Sequence, residues 1–284
     1  MFNQRFWLSF LYKTFWGRLF RFLFRTHFAA CLYAWFQDSS LSCYKIKRFV
    51  RQHDIKMSDF VILAGGYRSF NDFFTRCLRS NAREVDRSPD SFISPADGKL
   101  LVVPKLAKET SFFIKNNLFD LKTFLGDDEL AQEYEGATMF LFRLAPDDYH
   151  RFHFPCDATF ISKRIVHGRL ESVNPIVYKS GIQPLHENER QIAFLKTKSF
   201  DNIIIGAVGA MFVGAISWTA VPGCSYRKGD ELGHFSFGGS SLVVLVKKGV
   251  LQPESVFVVA SEKNEESVVR MGERVGQTAL RSKV

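Results

Sequence analysis

The sequence predicts an α+β fold, with amphipathic N-terminal helices set on a predominantly antiparallel, β-rich domain. Three observations predict it. The first 37 residues contain no Asp or Glu and carry 14 aromatic side chains among five Arg and Lys. Residues 39–90 are polar and read as helical, broken at Gly65-Gly66. From Phe92 onward, short β-prone runs alternate with turns rich in Gly, Pro and Asp, at the spacing of a barrel or sandwich. The boundary falls at residue 90, giving a helical region 1–90 and a β-rich domain 91–284.

Within the first region, Arg18, Arg21 and Arg25 recur at helical spacing, and Phe15, Trp16, Leu19, Phe20, Leu23 and Phe24 fill most of the remaining surface. Rings on one side and guanidiniums on the other suit a helix lying in the plane of a membrane interface. The longest uninterrupted apolar run nearby, Phe28–Phe36, is nine residues, whereas a span needs about 20. The expectation is therefore an interfacial anchor. Amphipathicity alone fits a helix packed on its own domain equally well. Arginines interrupt the apolar stretch, which argues against a cleaved signal peptide; an organelle presequence shares the basic, acid-poor composition. The net charge of +9 has no nucleic-acid-binding signature beside it, and an anionic membrane surface accounts for both charge and rings.

The next segment places Phe60-Val61-Ile62-Leu63 before the glycine break and a second helix around Phe70–Leu78. The strands expected after it are Leu100–Val103, Thr138–Arg143, Ala158–Ile165, Ile192–Lys196, Asn202–Val208, Ala215–Ala220 and Leu242–Val246. The tail, Glu262–Val284, is charged and weakly patterned. A chain of 284 residues holds one sizeable core plus an appendage. Cys31, Cys43, Cys77, Cys156 and Cys224 are odd in number and unpatterned, as reduced thiols of a cytosol-facing protein would be.

Three segments carry chemistry. Gly238-Gly239-Ser240-Ser241 sits between the charged turn Lys228-Gly229-Asp230-Glu231 and the run Leu242–Val246. On local grounds it is an ordinary flexible loop. Glycine on the acyl side also lets Ser240 Oγ approach the Gly239 carbonyl for an N→O acyl shift, followed by elimination and hydrolysis to a pyruvoyl group. Serine needs an adjacent base, itself oriented by a third group. Ser94-Pro95-Ala96-Asp97-Gly98 offers a carboxylate in a tight turn, and Asp148-Tyr149-His150-Arg151-Phe152-His153-Phe154-Pro155 offers two histidines. Physical argument alone does not rank His150 against His153 as the base. His150, His153 and Cys156 also have identities that zinc accepts. Phe152, Phe154 and Pro155 imply an extended segment, however, in which residues three apart face opposite ways.

Taken together, these segments resemble the phosphatidylserine decarboxylases. The resemblance includes Phe73-Phe74-Thr75-Arg76, Arg83-Glu84-Val85-Asp86, Leu121–Gly126, Ser172–Pro175, Asn188-Glu189-Arg190, Val208-Gly209-Ala210, Val213–Ile216 and Gly233–Ser241, in the family's order over roughly residues 60–250. Many members read Leu-Gly-Ser-Thr at the processing site; here it is Gly-Gly-Ser-Ser. The cleaved pair, Gly239 and Ser240, is kept.

The resemblance implies self-cleavage between Gly239 and Ser240 into a β chain (1–239) and an α chain (240–284) headed by a pyruvoyl group from Ser240. It implies an Asp97–His153–Ser240 processing triad, with His150 at the substrate site, and no metal. The implied reaction is decarboxylation of phosphatidylserine to phosphatidylethanolamine and CO2. The pyruvoyl ketone takes the substrate amine and the adjoining carbonyl receives electrons. The implied setting is a peripheral protein on an anionic membrane, at the cytoplasmic face of the cell membrane in a bacterium; a homodimer is compatible with it. Two other classes stand beside this reading. One is an unprocessed, non-enzymatic peripheral membrane protein. The other is a serine hydrolase, for which a Gly-x-Ser-x-Gly elbow is missing.

Overall fold

The long apolar runs pair into one eight-stranded antiparallel sheet, and their composition explains why. In the computed structural model, residues 9–12, 14–17, 27–62, 64–106, 109–111, 118–173, 175–178, 180–210, 215–238 and 240–279 are described. The strands are β1 (Ser91–Ile93), β2 (Gly98–Val103), β3 (Glu109–Ser111), β4 (Leu118–Asp120), β5 (Thr138–Leu144), β6 (Arg151–His153), β7 (Ala158–Val166) and β8 (Arg190–Thr197). They continue with β9 (Asn202–Val208), β10 (Ile216–Trp218), β11 (Ser225–Tyr226), β12 (Glu231–Phe235), β13 (Ser240–Val246), β14 (Leu251–Pro253), β15 (Ser267–Val269) and β16 (Arg274–Thr278). The large sheet has the order β11-β7-β8-β9-β13-β5-β2-β15.

Strand β13 lies between β5 and β9 and is buried at every position. Its alternate side chains enter two cores: Leu242, Val244 and Val246 on one face, Val243 and Leu245 on the other. A strand covered on both faces needs a continuous apolar run rather than alternation, as the sequence Leu-Val-Val-Leu-Val supplies. One core is closed by two three-stranded sheets, β1-β16-β14 and β10-β12-β6, and by the helix Ser255–Glu262. The other is closed by short helices that include Leu121–Leu125 and Pro184–Glu187.

The architecture is α+β and mostly antiparallel. Two expectations need correction. The stretch after residue 39 is helical only at its start: past the 3-10 helix Ser40–Cys43 and the helix Tyr44–Gln52, a 3-10 turn at Met57–Asp59 and the helix Phe70–Phe74 are the helical elements among the described residues up to 90. The weakly patterned C-terminal stretch also supplies two strands that were not expected, because β15 pairs with β2 while β16 pairs with β1 and β14. These ladders are short runs of backbone bonds, with β15 at the edge of the large sheet and β16 between β1 and β14, and they ask little of side-chain pattern.

At the N-terminus a helix covers His27–Asp38. Most of the expected interfacial helix, including Arg18, Leu19, Phe20, Arg21, Leu23, Phe24 and Arg25, lies outside the described residues. So do Arg5 and Lys13. No helix among the described residues is long and apolar enough to cross a membrane. Tyr12 is buried and donates its hydroxyl to Glu171 Oε2 at 2.8 Å, tying this end of the chain to the β-rich part.

Candidate active site

Asp97 ends a turn locked at both sides. Ser94 Oγ donates to the Ala96 carbonyl at 2.6 Å, and the Ser94 amide donates to the Glu273 carbonyl at 2.7 Å. Gly98 leaves the turn with φ +150°, and a Cβ there would stand 2.8 Å from the Arg143 carbonyl oxygen, so only glycine lets β2 close on β5. The buried Asp97 carboxylate takes three donors: Arg83 Nε at 3.1 Å, Arg83 Nη2 at 2.5 Å and the Met271 amide at 2.8 Å. Arg83 Nη1 in turn reaches Asp59 Oδ2 at 3.1 Å. A bidentate guanidinium fixes the position and orientation of a carboxylate.

The two histidines flank Arg151 and Phe152 but engage different neighbours. His150 is fully buried, and its ring lies on Phe74 with centroids 3.9 Å apart. Its Nδ1 contacts the Asp148 carbonyl at 2.9 Å. A carbonyl only accepts, so the proton is on Nδ1 and the lone pair on Nε2. Burial, then the nearby Arg76 charge, lowers its pKa to about 3, so the ring is neutral at ordinary pH.

His153 contacts the Gly229 carbonyl through Nδ1 and the Tyr149 hydroxyl through Nε2, both at 3.0 Å. Its pKa is held below the usual imidazole value by burial, against the Gly229 carbonyl and the Glu231 and Asp97 carboxylates. Its backbone amide donates to the Pro95 carbonyl at 2.8 Å, which sets it beside the Asp97 turn.

Ser240 begins β13, fully buried and opposite Leu144 of β5. Ser241, Arg143 and Lys99 stand in one row across β13, β5 and β2. Ser240 therefore sits two strand spacings, about 10 Å, from the start of β2, where Asp97 lies. Among the described residues, neither Ser240 Oγ nor His150 Nε2 has a hydrogen-bond partner. Buried polar atoms are nearly always satisfied, and these two are among seven buried side-chain atoms left without a partner among the described residues. Asp97, His153 and Ser240 thus gather near one end of the large sheet, but no hydrogen bond among the described residues joins one to another. Gly239 lies outside the described residues.

The family model for phosphatidylserine decarboxylase matches residues 70–277. The chain belongs to the phosphatidylserine decarboxylase family. It is 36% identical over 272 residues to the phosphatidylserine decarboxylase proenzyme of Chlamydia pneumoniae, covering 95% of this chain and 90% of that protein. The proenzyme of Chlamydia caviae is 37% identical over 256 residues, 90% of this chain and 86% of the relative. That of Fusobacterium nucleatum is 38% identical over 232 residues, covering 82% and 77%.

Around the residues that the family resemblance singles out, the structure adds three that sequence reasoning passed over. Arg83 stood in a quoted family segment, and Tyr149 stood beside both histidines; neither had a partner that spacing could identify. The third contribution, the Met271 amide, is backbone and leaves no side-chain signal at all. Part of the helical region also walls the site. Phe74 carries the His150 ring, Arg76 Nη2 donates to the carbonyls of Asp147 and Asp148, and Asn71 Oδ1 accepts from the Phe237 amide at 2.9 Å.

Proposed function

We propose that this chain is a self-processing, pyruvoyl-dependent phosphatidylserine decarboxylase that yields phosphatidylethanolamine and CO2 for phospholipid synthesis. The observation that carries the reading is Ser240, a buried hydroxyl without a partner at the first position of a fully enclosed strand, in a chain of that family.

Ser240 Oγ attacks the Gly239 carbonyl carbon while His153 takes its proton. Collapse breaks the peptide C–N bond and returns the proton to the Ser240 nitrogen, leaving an ester. Elimination takes the Ser240 Cα proton, forms the Cα=Cβ bond, breaks the Cβ–Oγ bond and frees the Gly239 carboxylate. Water then replaces the nitrogen of the dehydroalanine, ammonia departs, and a pyruvoyl group heads the 45-residue chain (284 − 239 = 45). That group supplies a ketone for the substrate amine and an electron sink for loss of CO2. Asp97, gripped by Arg83, offsets the charge that His153 gains. His150, neutral with a free Nε2, is suited to moving the proton at the substrate.

The reading places the protein on an anionic membrane surface as a peripheral protein. What supports this is a set of large apolar side chains left open: Phe15 is 77% exposed, Trp35 71% and Leu41 73%. Beside them in sequence, the helix Tyr44–Gln52 buries no residue fully and leaves Lys47, Arg48 and Arg51 exposed. Rings and basic charges together favour an interfacial setting over water.

Intact mass of the purified protein tests the processing. Two chains, 1–239 and 240–284, the second beginning with a pyruvoyl group, are expected. A single full-length chain, or a second chain beginning with ordinary serine, would remove the cofactor and with it the reaction.

A further inference from the structure

Both ring nitrogens of His153 are occupied, and their partners are chemically unequal. Gly229 offers a carbonyl at 3.0 Å from Nδ1, which can only accept, so Nδ1 carries a proton whatever the state of the ring. Nε2 is then the one nitrogen that titrates, and the group at Nε2 is the Tyr149 hydroxyl, at 3.0 Å. Tyr149 is 3% exposed. Its ring sits against Phe60, centroids 6.3 Å apart, and leans on His153 at 5.7 Å with 28° between planes. The phenol is thus held by packing as well as by its bond to the imidazole.

We infer that the Tyr149 hydroxyl is the positioning group of His153 during self-processing, donating to Nε2 while the ring is neutral and accepting from Nε2–H once the ring is charged. The inference rests on the reading that His153 takes the Ser240 proton. A hydroxyl performs both tasks by rotating about its C–O bond, so the imidazole keeps its place while a proton arrives and leaves. Among the described residues no other side chain is bonded to Nε2. The remaining groups facing His153 act at a distance: Glu231 and Asp97 favour the charged ring, Arg151 opposes it, and burial opposes it most. Burial also drives the Tyr149 pKa far up, so the phenol does not ionise in competition. The proton count closes: Ser240 Oγ–H passes its proton to Nε2 as the Oγ–C bond forms. Nε2–H returns it to the Ser240 nitrogen as the C–N bond breaks.

Tyr149→Phe keeps the ring and its packing on Phe60 but leaves Nε2–H with no acceptor. The charged form of His153 is then disfavoured. The test follows the appearance of the two fragments against pH in freshly prepared full-length precursor. The variant is expected to process roughly a hundredfold more slowly at neutral pH, the lower end of what general acid–base catalysis supplies. The midpoint of its rate–pH profile should move to lower pH. A slower rate with an unmoved midpoint would mean a packing role only and overturns the inference, as does wild-type behaviour. His153→Ala is run beside it: unimpaired processing there removes the underlying reading instead. Should Tyr149→Phe fail to fold, nitrogen-15 NMR of the unprocessable Ser240→Ala precursor decides. It must show His153 protonated at Nδ1 when neutral; a proton on Nε2 overturns the assignment.

Discussion

The Met271 amide donates to Asp97 Oδ1 at 2.8 Å, which means that a residue beyond the proposed processing bond holds the carboxylate on the other side of it. The C-terminal stretch is woven through the rest. Strand β13 pairs with β5 and β9, β15 and β16 pair with β2 and β1, and Ser261 Oγ satisfies the Val102 amide at 2.8 Å. Cutting before Ser240 breaks none of these bonds. The two fragments are expected to co-elute on size exclusion in native buffer and to part only in denaturant. Separation in native buffer would mean that the C-terminal stretch is not held as described.

Arg83 links Asp97 to Asp59, and all three side chains are largely buried. Removing one partner of such a set leaves an uncompensated charge, at a cost of about 3–5 kcal/mol. Arg83→Met is expected to lower the urea midpoint and to slow fragment formation. Arg83→Lys should recover part of the stability but less of the rate, because an ammonium cannot grip both carboxylate oxygens as the guanidinium fork does. Equal rates for wild type and Arg83→Met would separate Asp97 geometry from processing.

The strands β5, β9 and β13 were legible because strands buried on two faces must be apolar along their length, and β2, β7 and β8 were legible as β-prone runs bounded by turn residues. The strands β15 and β16 were not, since short stretches of backbone pairing tolerate polar and charged sequence such as Arg274-Val275-Gly276-Gln277-Thr278, even with β16 between β1 and β14. At the site, composition and spacing could nominate Asp97, His150, His153 and Ser240 and no more. Which histidine takes a carbonyl and a phenol, and which keeps a free nitrogen, depends on Gly229, Tyr149 and Asp148 as placed by the fold. Spacing in the chain does not encode those contacts.

The orphan nitrogen of His150 gives the two histidines separable expectations. His150→Gln should still yield two chains, since processing draws on His153. It should release CO2 from serine-labelled phosphatidylserine about a hundredfold more slowly, in line with the loss of one acid–base group. A gel for processing and a CO2 assay on the same preparation make the check. An uncut His150→Gln protein would show that the two rings share the first task.

Asp148 ties its own loop by accepting the Ala145 amide at 2.7 Å, and burial, reinforced by the charges of Asp147 and Asp97, pushes its pKa up to about 6. The folded value lies above the unfolded one, about 3.9. Its contribution is therefore fully present below the unfolded pKa and is lost as pH rises through about 6. The two pKa values differ by about two units, equivalent to about 3 kcal/mol. Asp148→Asn keeps an acceptor for Ala145 and cannot ionise. The difference in urea stability between this variant and wild type should grow in the variant's favour from acid to neutral pH. A difference that does not change with pH would show that Asp148 titrates normally.

The membrane reading is best tested by substitution, because deleting the N-terminus would also remove Tyr12 from its buried bond to Glu171. Phe15, Trp16, Trp35 and Leu41 are all more than half exposed, and replacing them with serine touches none of the proposed site residues. Each large apolar side chain buried in lipid contributes about 1.5–3 kcal/mol. The fourfold variant should move from vesicles containing anionic lipid to the soluble fraction, while its self-cleavage continues. In the wild type, added salt should loosen binding by screening the basic residues without abolishing it, since burial of rings does not depend on Coulomb attraction. Full sedimentation of the variant with vesicles, at low and high salt alike, would move the membrane contact away from this surface and onto the β-rich part of the chain.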